Sequence, residues 1–219
     1  MTYDELVTAV TDYTENTVPT TDMDIFIQQA EQRIYNTVQF PSLRKNVTGS
    51  TTASNKYLSC PDDFLAVYSL AVIDDLGAYE YLLNKDVNFI RQAYPVPTDT
   101  GIPKYYALFG PTTTTGTPPA ITNELSMILG PTPDAAYGVE LHYYYYPESI
   151  VTAGNSWLGD NFDSVLLYGT IVEAYTYMKG EADMMAFYNT KYQEALGLAK
   201  RLGDGMERQD AYRSGQFRQ

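Results

Sequence analysis

Residues 160–202 read DNFDSVLLYGTIVEAYTYMKGEADMMAFYNTKYQEALGLAKRL, and this stretch predicts a hairpin of two helices. Between Asp163 and Lys179 the only charged residue is Glu173, and apolar residues cover nearly the whole circumference of a helix around it. A helix that is apolar on all sides has to be covered on most of them. We therefore expect this first helix to pack against the second one, and also against other parts of the chain or other copies of it.

The ends of both helices are predicted from capping residues and glycines. Asp160 or Asn161 is expected to cap the first helix by accepting a backbone N–H, and Gly180 to end it in the left-handed conformation. Gly203 and Gly205 are expected to stop the second helix. The predicted buried stripe of the second helix is Met184, Tyr188, Tyr192, Ala195, Ala199 and Leu202.

Two more helices are predicted near the N-terminus. Thr2 followed by Glu5 is a capping-box pattern that opens a short helix through about residue 13. Residues 21–24 are expected to start a second helix in the same way, and Pro41 to end it. These helices are natural partners for the hairpin, so we predict a discontinuous four-helix layer built from residues 1–44 and 155–203.

The middle of the chain, residues 45–154, predicts a mostly antiparallel β domain inserted into that layer, so the fold class is α+β. Short runs of β-branched and aromatic residues alternate there with turn residues. The predicted strands are residues 47–53, 56–60, 64–73, 79–83, 105–109, 124–129 and 139–146. Residues 84–86 are expected to cap a short helix that runs through residue 93. The polar run at residues 112–119 predicts an exposed hairpin tip or loop.

Composition and charge exclude several classes of protein. The chain has 14 Lys and Arg against 27 Asp and Glu, a net charge of −13, so we expect negligible affinity for duplex DNA. No apolar run approaches the about 20 residues needed to span a bilayer. Asp4 and Glu5 lie where the basic region of a signal peptide would be. The single cysteine, Cys60, excludes an internal disulfide framework and fits synthesis in a reducing cytoplasm.

Candidate catalytic residues are few, and they form no recognisable constellation. His142 is the only histidine that could activate Cys60, and it lies within an aromatic strand. The carboxylate pairs at residues 62–63 and 74–75 lie at turns, where Asp is favoured for its turn geometry. Residues 22–24 lack the ligand spacing of a calcium loop. We therefore expect no enzyme activity, no metal and no cofactor.

Tyrosine is unusually frequent, with 21 residues against 8 Phe and 1 Trp. Tyrosine suits surfaces that are apolar in body and polar at the tip, such as protein interfaces. The candidates for contacts between subunits or with another protein are Tyr143, Tyr145, Tyr168, Tyr175 and Tyr188. Residues 204–219 have few aliphatic side chains and predict either a frayed tail or an extended C-terminal arm that orders on a partner.

Several short motifs follow one another along the chain. They are FIQQAEQRI (26–34), YLSCPDDFL (57–65), GIPKYYA (101–107), LGPTP (129–133), YYYP (144–147), and WL (157–158) with NF (161–162) and EAY (173–175). In this order they resemble the head-to-tail adaptor proteins, also called connector or tail tubular proteins, of short-tailed and related bacteriophages. The likeness spans nearly the whole chain. Cys60 departs from the aliphatic residue usual there, and residues 112–119 form a longer tip than usual.

The resemblance implies a structural virion protein at the head–tail junction. It implies a ring, usually of twelve copies, docked under the portal protein, with DNA passing through its centre without specific binding. The helical layer would form the contacts between subunits, and the β part would face the tail or nozzle protein. The arm would reach up to the portal, and its candidate anchors are Arg208, Tyr212, Arg213, Phe217 and Arg218.

Two other functions stay open at this point. One is a phage-associated glycan- or receptor-binding module, in which the tyrosine face and the Thr-rich loop at residues 112–119 hold a host glycan. The other is a hydrolase. The first predicts affinity for a glycan without affinity for a portal, and the second predicts turnover of a small substrate.

Overall fold

The computed structural model describes residues 1–96, 98–113 and 121–207, and over these residues the chain is α+β. The helices are α1 (Tyr3–Thr14), α2 (Thr20–Thr37), α3 (Val87–Ala93), α4 (Ile150–Ala153), α5 (Trp157–Asn161), α6 (Asp163–Met178) and α7 (Ala182–Glu207), with a 3-10 turn at Pro41–Leu43. The strands are β1 (Arg44–Ser50), β2 (Tyr57–Ser59), β3 (Ala66–Ile73), β4 (Tyr79–Tyr81), β5 (Leu83–Asn84), β6 (Tyr105–Thr113), β7 (Ile121–Gly130) and β8 (Gly138–Tyr144). Every helix in this part of the chain is too short or too polar to cross a lipid bilayer.

The chain divides into two compact units. The helical unit is Met1–Leu43 together with Tyr146–Gln219, and the β unit is Arg44–Tyr145. The helical unit therefore draws on both ends of the chain, and the β unit on its middle. Residues 146–154, which the sequence prediction placed in the β insertion, cluster with the helical unit and contribute α4.

Helix α6 is the centre of the helical unit, where it packs against α1, α2, α5 and α7. Its buried side chains point in several directions, as its apolar circumference predicts. They are Val165, Leu166, Leu167, Gly169, Thr170, Ile171 and Ala174. Other parts of the chain therefore cover this helix. The sequence alone leaves open whether the chain itself or other copies of it provide this cover.

The predicted ends of α6 are wrong at both termini. Asp160 and Asn161 belong to the separate short helix α5, and the residue at the start of α6 is Phe162, which makes no side-chain cap. At the other end Lys179, with φ 54°, takes the left-handed conformation that was expected of Gly180. Gly180 is needed for space instead, because a Cβ there would collide with the ring of Tyr175.

Helix α7 continues through the predicted stop at Gly203 and ends at Glu207. Gly203 is buried, and a Cβ placed on it would lie 2.9 Å from the carbonyl oxygen of Gln39 and 3.0 Å from Val38. The glycine therefore permits close packing of α7 on the chain segment that follows α2. Whether a glycine ends a helix or allows close packing depends on its neighbours in the tertiary structure, and these neighbours are not visible in the sequence.

The N-terminal helices differ in how they begin. The capping box predicted for α1 is confirmed: the Thr2 hydroxyl accepts the Glu5 N–H, and the Glu5 carboxylate accepts the Thr2 N–H at 2.8 Å. Helix α2 begins at Thr20 after Pro19 without a side-chain cap, so the second predicted cap is wrong. Two carboxylates near the start of α2 instead link it to other helices. Asp22 accepts a hydrogen bond from the Tyr177 hydroxyl of α6, and Asp24 accepts one from the Tyr3 hydroxyl of α1.

The β unit consists of two four-stranded sheets. The strand orders are β1-β8-β3-β4 and β2-β7-β6-β5, and all pairs are antiparallel except β5 with β6. Residues from both sheets form one core, which includes Leu70, Val72, Tyr106, Met127, Leu129, Val139, Leu141 and Tyr143. The mostly antiparallel prediction is therefore confirmed. Thr112 and Thr113 of the predicted loop extend β6, and residues 114–120 lie outside the described residues.

The role of Gly203 predicts opposite effects for two glycine substitutions in α7. Gly203→Ala should lower the free energy of unfolding by about 1–3 kcal/mol, because backbone must move to admit the methyl group. Gly197→Ala is the matched control, since its Cβ would meet nothing within 4 Å, and it should raise stability by about 0.5–1 kcal/mol. Urea unfolding measures both. Equal stabilisation by the two variants would show that Gly203 is not a packing residue.

Candidate assembly surfaces

The charged residue in the middle of α6, Glu173, forms an ion pair with Arg33 of α2. The Glu173 side chain is 11% exposed and that of Arg33 is 47% exposed. A carboxylate so far removed from water is destabilising unless a cation or hydrogen-bond donors compensate for its lost hydration. The pair therefore joins the FIQQAEQRI motif to the EAY motif and fixes the register between α2 and α6.

The other charged residue of the FIQQAEQRI motif, Glu31, contacts helix α4 rather than α6. Its carboxylate is 3% exposed and accepts the backbone N–H of Ile150 at 3.0 Å, at the start of α4. Burial raises the pKa of Glu31, and the hydrogen bonds from Ser149 and Ile150 offset only part of that rise. Glu31 and Arg33 thus connect α2 to two separate parts of the C-terminal half.

Asp63 of the YLSCPDDFL motif has a structural role in the β unit. Its carboxylate accepts hydrogen bonds from the Tyr143 hydroxyl and from the Lys45 ammonium, each at 2.7 Å. Burial alone would raise the pKa of Asp63, but these hydrogen bonds outweigh burial and lower it. Phe64 stacks on the Tyr143 ring with 5.8 Å between centroids. The motif therefore anchors β1 and β8 to the turn before β3.

The remaining motifs also meet in pairs. Trp157 and Phe162 close an aromatic triad with Phe40, with centroids 5.1–5.5 Å apart. In the β unit, Gly101 of the GIPKYYA motif donates its N–H to the carbonyl of Thr132 in the LGPTP motif at 2.9 Å. The motifs that carry the resemblance are therefore packing partners, which explains why they indicate the fold better than the function.

The residues considered for catalysis lie apart. Cys60 packs against the core of the β unit, and burial raises the pKa of its thiol to about 11, which opposes formation of a thiolate nucleophile. His142 lies between core residues Leu141 and Tyr143 on β8, so its ring points to the opposite face of the sheet. Asp74 accepts the N–H groups of residues 76 and 78, as the predicted turn requires. Among the described residues no group of three or more His, Cys, Asp or Glu could hold a metal ion.

The five tyrosines predicted as contact residues differ in exposure. Tyr143 is 1% exposed and Tyr188 is 6% exposed, so their rings belong to the chain's own cores. Tyr145, Tyr168 and Tyr175 are half-buried and keep part of their surface free. In the helical unit Tyr188 contacts the rings of Tyr175 and Tyr13, and Tyr13 also contacts Tyr168.

Helix α7 carries four exposed large apolar side chains on one side, more than any other described helix. We call this set the outer stripe, and its members are Met184 (38% exposed), Phe187 (52%), Leu198 (65%) and Leu202 (52%). At 3.6 residues per turn these four positions fall within about 60° of the helix circumference. Lys191, whose side chain is 39% exposed, lies between Phe187 and Leu198 on the same side of the helix. The four therefore form two apolar pairs, Met184 with Phe187 and Leu198 with Leu202, separated by this lysine.

Sequence reasoning missed the outer stripe because it assigned Met184 and Leu202 to the buried face. The buried face of α7 consists of Tyr188, Tyr192, Leu196 and Ala199, directly beside the outer stripe. Both sets recur at helical spacing, so periodicity alone does not tell which of two adjoining strips faces the core. The exposure of each side chain in the fold makes the distinction.

The predicted portal anchors Arg208, Tyr212, Arg213, Phe217 and Arg218 lie outside the described residues. Helix α7 ends at Glu207, directly before the first of them, so residues 204–207 of the predicted arm are helical. The segment available as an extended arm is accordingly residues 208–219.

The buried carboxyl of Glu31 predicts a pH-dependent effect of Glu31→Gln. The amide oxygen can still accept the Ile150 N–H, but it carries no charge. Because the pKa of Glu31 is raised in the folded state, wild-type stability falls as pH rises from about 4.3, the ordinary value, through the raised value. The stability gain from Glu31→Gln should therefore grow over this window and then level off.

Urea unfolding between pH 4 and pH 8 measures this effect, with Glu148→Gln as the control because Glu148 is exposed. A gain for Glu31→Gln that does not change with pH, or that matches the control, would contradict the assignment.

Comparison with known protein families agrees with the paired motifs. The family model described as SU10 adaptor protein matches residues 1–218, which is almost the whole chain. A search of curated proteins gives no match. The likeness to head-to-tail adaptors seen in the sequence motifs is thereby confirmed, and the chain belongs to the SU10 adaptor protein family, a family of phage head-to-tail adaptors.

Proposed function

We propose that this phage adaptor protein forms a ring at the head–tail junction of the virion and joins the portal protein to the tail. The observation that carries the proposal is the outer stripe of α7, in a chain whose family consists of structural phage adaptors. Single exposed apolar residues are ordinary on soluble proteins, but four on one side of a helix, in two pairs on either side of Lys191, favour association. A neighbouring copy of the chain is the proposed cover.

The proposed contact is heterologous: the outer stripe of one copy meets a different surface of the next. Repeating such a contact around a closed circle generates a ring, and family resemblance gives twelve as the expected number of copies. The helices from both chain ends, arranged as a four-helix layer, would supply this contact. The half-buried Tyr145, Tyr168 and Tyr175 are proposed as further contact residues, whereas Tyr143 and Tyr188 would support them from within.

The other partners are assigned to other parts of the chain. The C-terminal arm is proposed to bind the portal through Arg208, Tyr212, Arg213, Phe217 and Arg218, because Arg and aromatic side chains are frequent anchors in interfaces. The β unit is proposed to face the tail or nozzle protein. With a net charge of −13, the ring would let DNA pass through its centre without holding it. The protein would be made in the host cytoplasm and act without enzyme activity, cofactor or membrane.

The alternative function, a glycan- or receptor-binding module, is supported by the exposed tyrosines Tyr79 and Tyr81 on β4, which are 52% and 66% exposed. Such a module would bind a glycan as an isolated chain and would ignore a portal. The adaptor function is favoured because the family match extends over residues 1–218 rather than over the β unit alone.

Charging the outer stripe should abolish ring formation. We expect the double variant Leu198→Glu and Leu202→Glu to stay folded, with the free energy of unfolding within about 0.5 kcal/mol per site, because both side chains are exposed. In mass photometry of the chain mixed with its portal, the mass of the adaptor ring should be lost. Leu76→Glu is the control, since Leu76 is 93% exposed at a turn of the β unit. If the double variant forms rings at the same concentrations as wild type, the proposed contact is wrong.

Deleting residues 208–219 should leave a folded chain that no longer docks. The cut lies beyond the last residue of α7, so the free energy of unfolding should be unchanged. Portal affinity should fall at least about tenfold, because the deletion removes three arginines and two aromatic side chains. Surface plasmon resonance against immobilised portal measures this. Undiminished affinity would show that the arm is not the portal anchor.

A further inference from the structure

The sheet with strand order β1-β8-β3-β4 has an aromatic outer face. On β8 the side chains of Val139, Leu141 and Tyr143 enter the core, so those of Glu140, His142 and Tyr144 lie on the other face. An irregularity in β3 between Val67 and Ser69 allows Tyr68 to join that face. The Tyr68 ring contacts His142 at 4.9 Å and Tyr144 at 5.9 Å between centroids.

One end of this face already holds a guanidinium group from the chain itself. The central carbon of the Arg44 guanidinium lies 4.3 Å from the Tyr68 ring centroid and 5.5 Å from the Tyr144 ring centroid. A cation at such distances is attracted by the negative face of an aromatic ring, and arginine is the commonest partner. At this end of the sheet, two tyrosine rings therefore accommodate a guanidinium group.

The other end of the face is a cleft of about 290 Å³. Small side chains, Ser69 and Ala71, form its floor, and His142 lines it together with Tyr79 and Tyr81. The two tyrosine rings stack on each other with 6.5 Å between centroids and are 52% and 66% exposed. Among the described residues no Lys or Arg lies over either ring, in contrast to the end occupied by Arg44.

The cleft also contains a carboxylate whose neighbours on this face are neutral. Glu140 accepts a hydrogen bond from the Asn46 amide at 2.7 Å and faces the Tyr79 hydroxyl, whose pKa it raises. Neutral donors orient the carboxylate without cancelling its charge. A guanidinium is planar and carries several N–H donors, so it can lie against a ring and bind a carboxylate at the same time.

We propose that this cleft binds an arginine side chain presented by a partner protein, with the guanidinium against Tyr79 and Tyr81 and its N–H groups directed at Glu140. The charge of Glu140 favours a cation over a neutral glycan and repels nucleic acid. This inference goes beyond the adaptor function and does not depend on ring formation, because all of the residues that carry it lie in the β unit.

The test is an NMR titration of the full-length chain. His142 is the only histidine, so its ring protons give a single resolved reporter inside the cleft. The probe is the peptide acetyl-Gly-Arg-Gly-amide, and the matched control is the same peptide with citrulline, which keeps the shape of arginine without the charge. We expect saturable shifts of the His142 signals with the arginine peptide, weakened by added salt, and no saturable shifts with citrulline.

Two variants locate the site. Glu140→Gln keeps an oxygen that can accept the Asn46 hydrogen bond but removes the charge, and Tyr81→Leu removes one ring. Each variant should lower the affinity for the arginine peptide by about twofold to fivefold. Their controls are Glu80→Gln, on the same strand beside Tyr81, and Tyr57→Leu, an exposed tyrosine on the other sheet, and both should bind as wild type does.

The proposal is overturned if the arginine peptide leaves the His142 signals unshifted, or if the citrulline peptide binds as tightly. It is likewise overturned if the neutral sugar maltotriose saturates the same signals, since the cleft would then be a glycan site. Equal weakening by the control variants would also overturn it, because the binding would not be located in the cleft.

Discussion

The helical unit depends on enclosing α6, a helix that is apolar on nearly every side and whose only charged residue after its first turn is Glu173. The apolar sides are covered by α1, α2, α5 and α7, and the charge of Glu173 is balanced by Arg33. Both requirements are met by elements from opposite ends of the chain. Without the N-terminal helices, part of the apolar surface of α6 would therefore be left uncovered.

The same logic extends to the motifs that identify the family. Glu31 and Arg33 reach α4 and α6, Asp63 reaches β8, and Phe40 completes the triad with the aromatic residues around α5. Each motif is short because only one or two of its side chains make the contact, and each is informative only with its partner. A family defined by such pairs shares a scaffold, whereas the assembly contacts that we propose for this chain lie on exposed surfaces such as the outer stripe.

Much of the scaffold could be predicted from sequence, since capping boxes, apolar circumference and alternation are local or periodic signals. The capping box of α1, the helix that begins after Asp86 and the mostly antiparallel strands follow from them. The errors have a common cause in tertiary packing. Gly203 is a packing contact rather than a stop, the left-handed residue that ends α6 is Lys179, and Gly180 leaves space for the ring of Tyr175. The outer stripe was missed for a related reason, as periodicity finds apolar strips but not their partners.

The central claim is that the outer stripe is exposed in the single chain and covered by a neighbouring copy at the portal. Hydroxyl-radical footprinting, read by mass spectrometry, tests it most directly, because Met184 and Phe187 are reactive side chains on that stripe. In the free chain both should be oxidised readily, as their exposures of 38% and 52% indicate. In the assembly on the portal both should be protected, while Tyr57 on the β unit serves as a reference. Oxidation of Met184 and Phe187 to the same extent in the free and assembled protein would contradict the account.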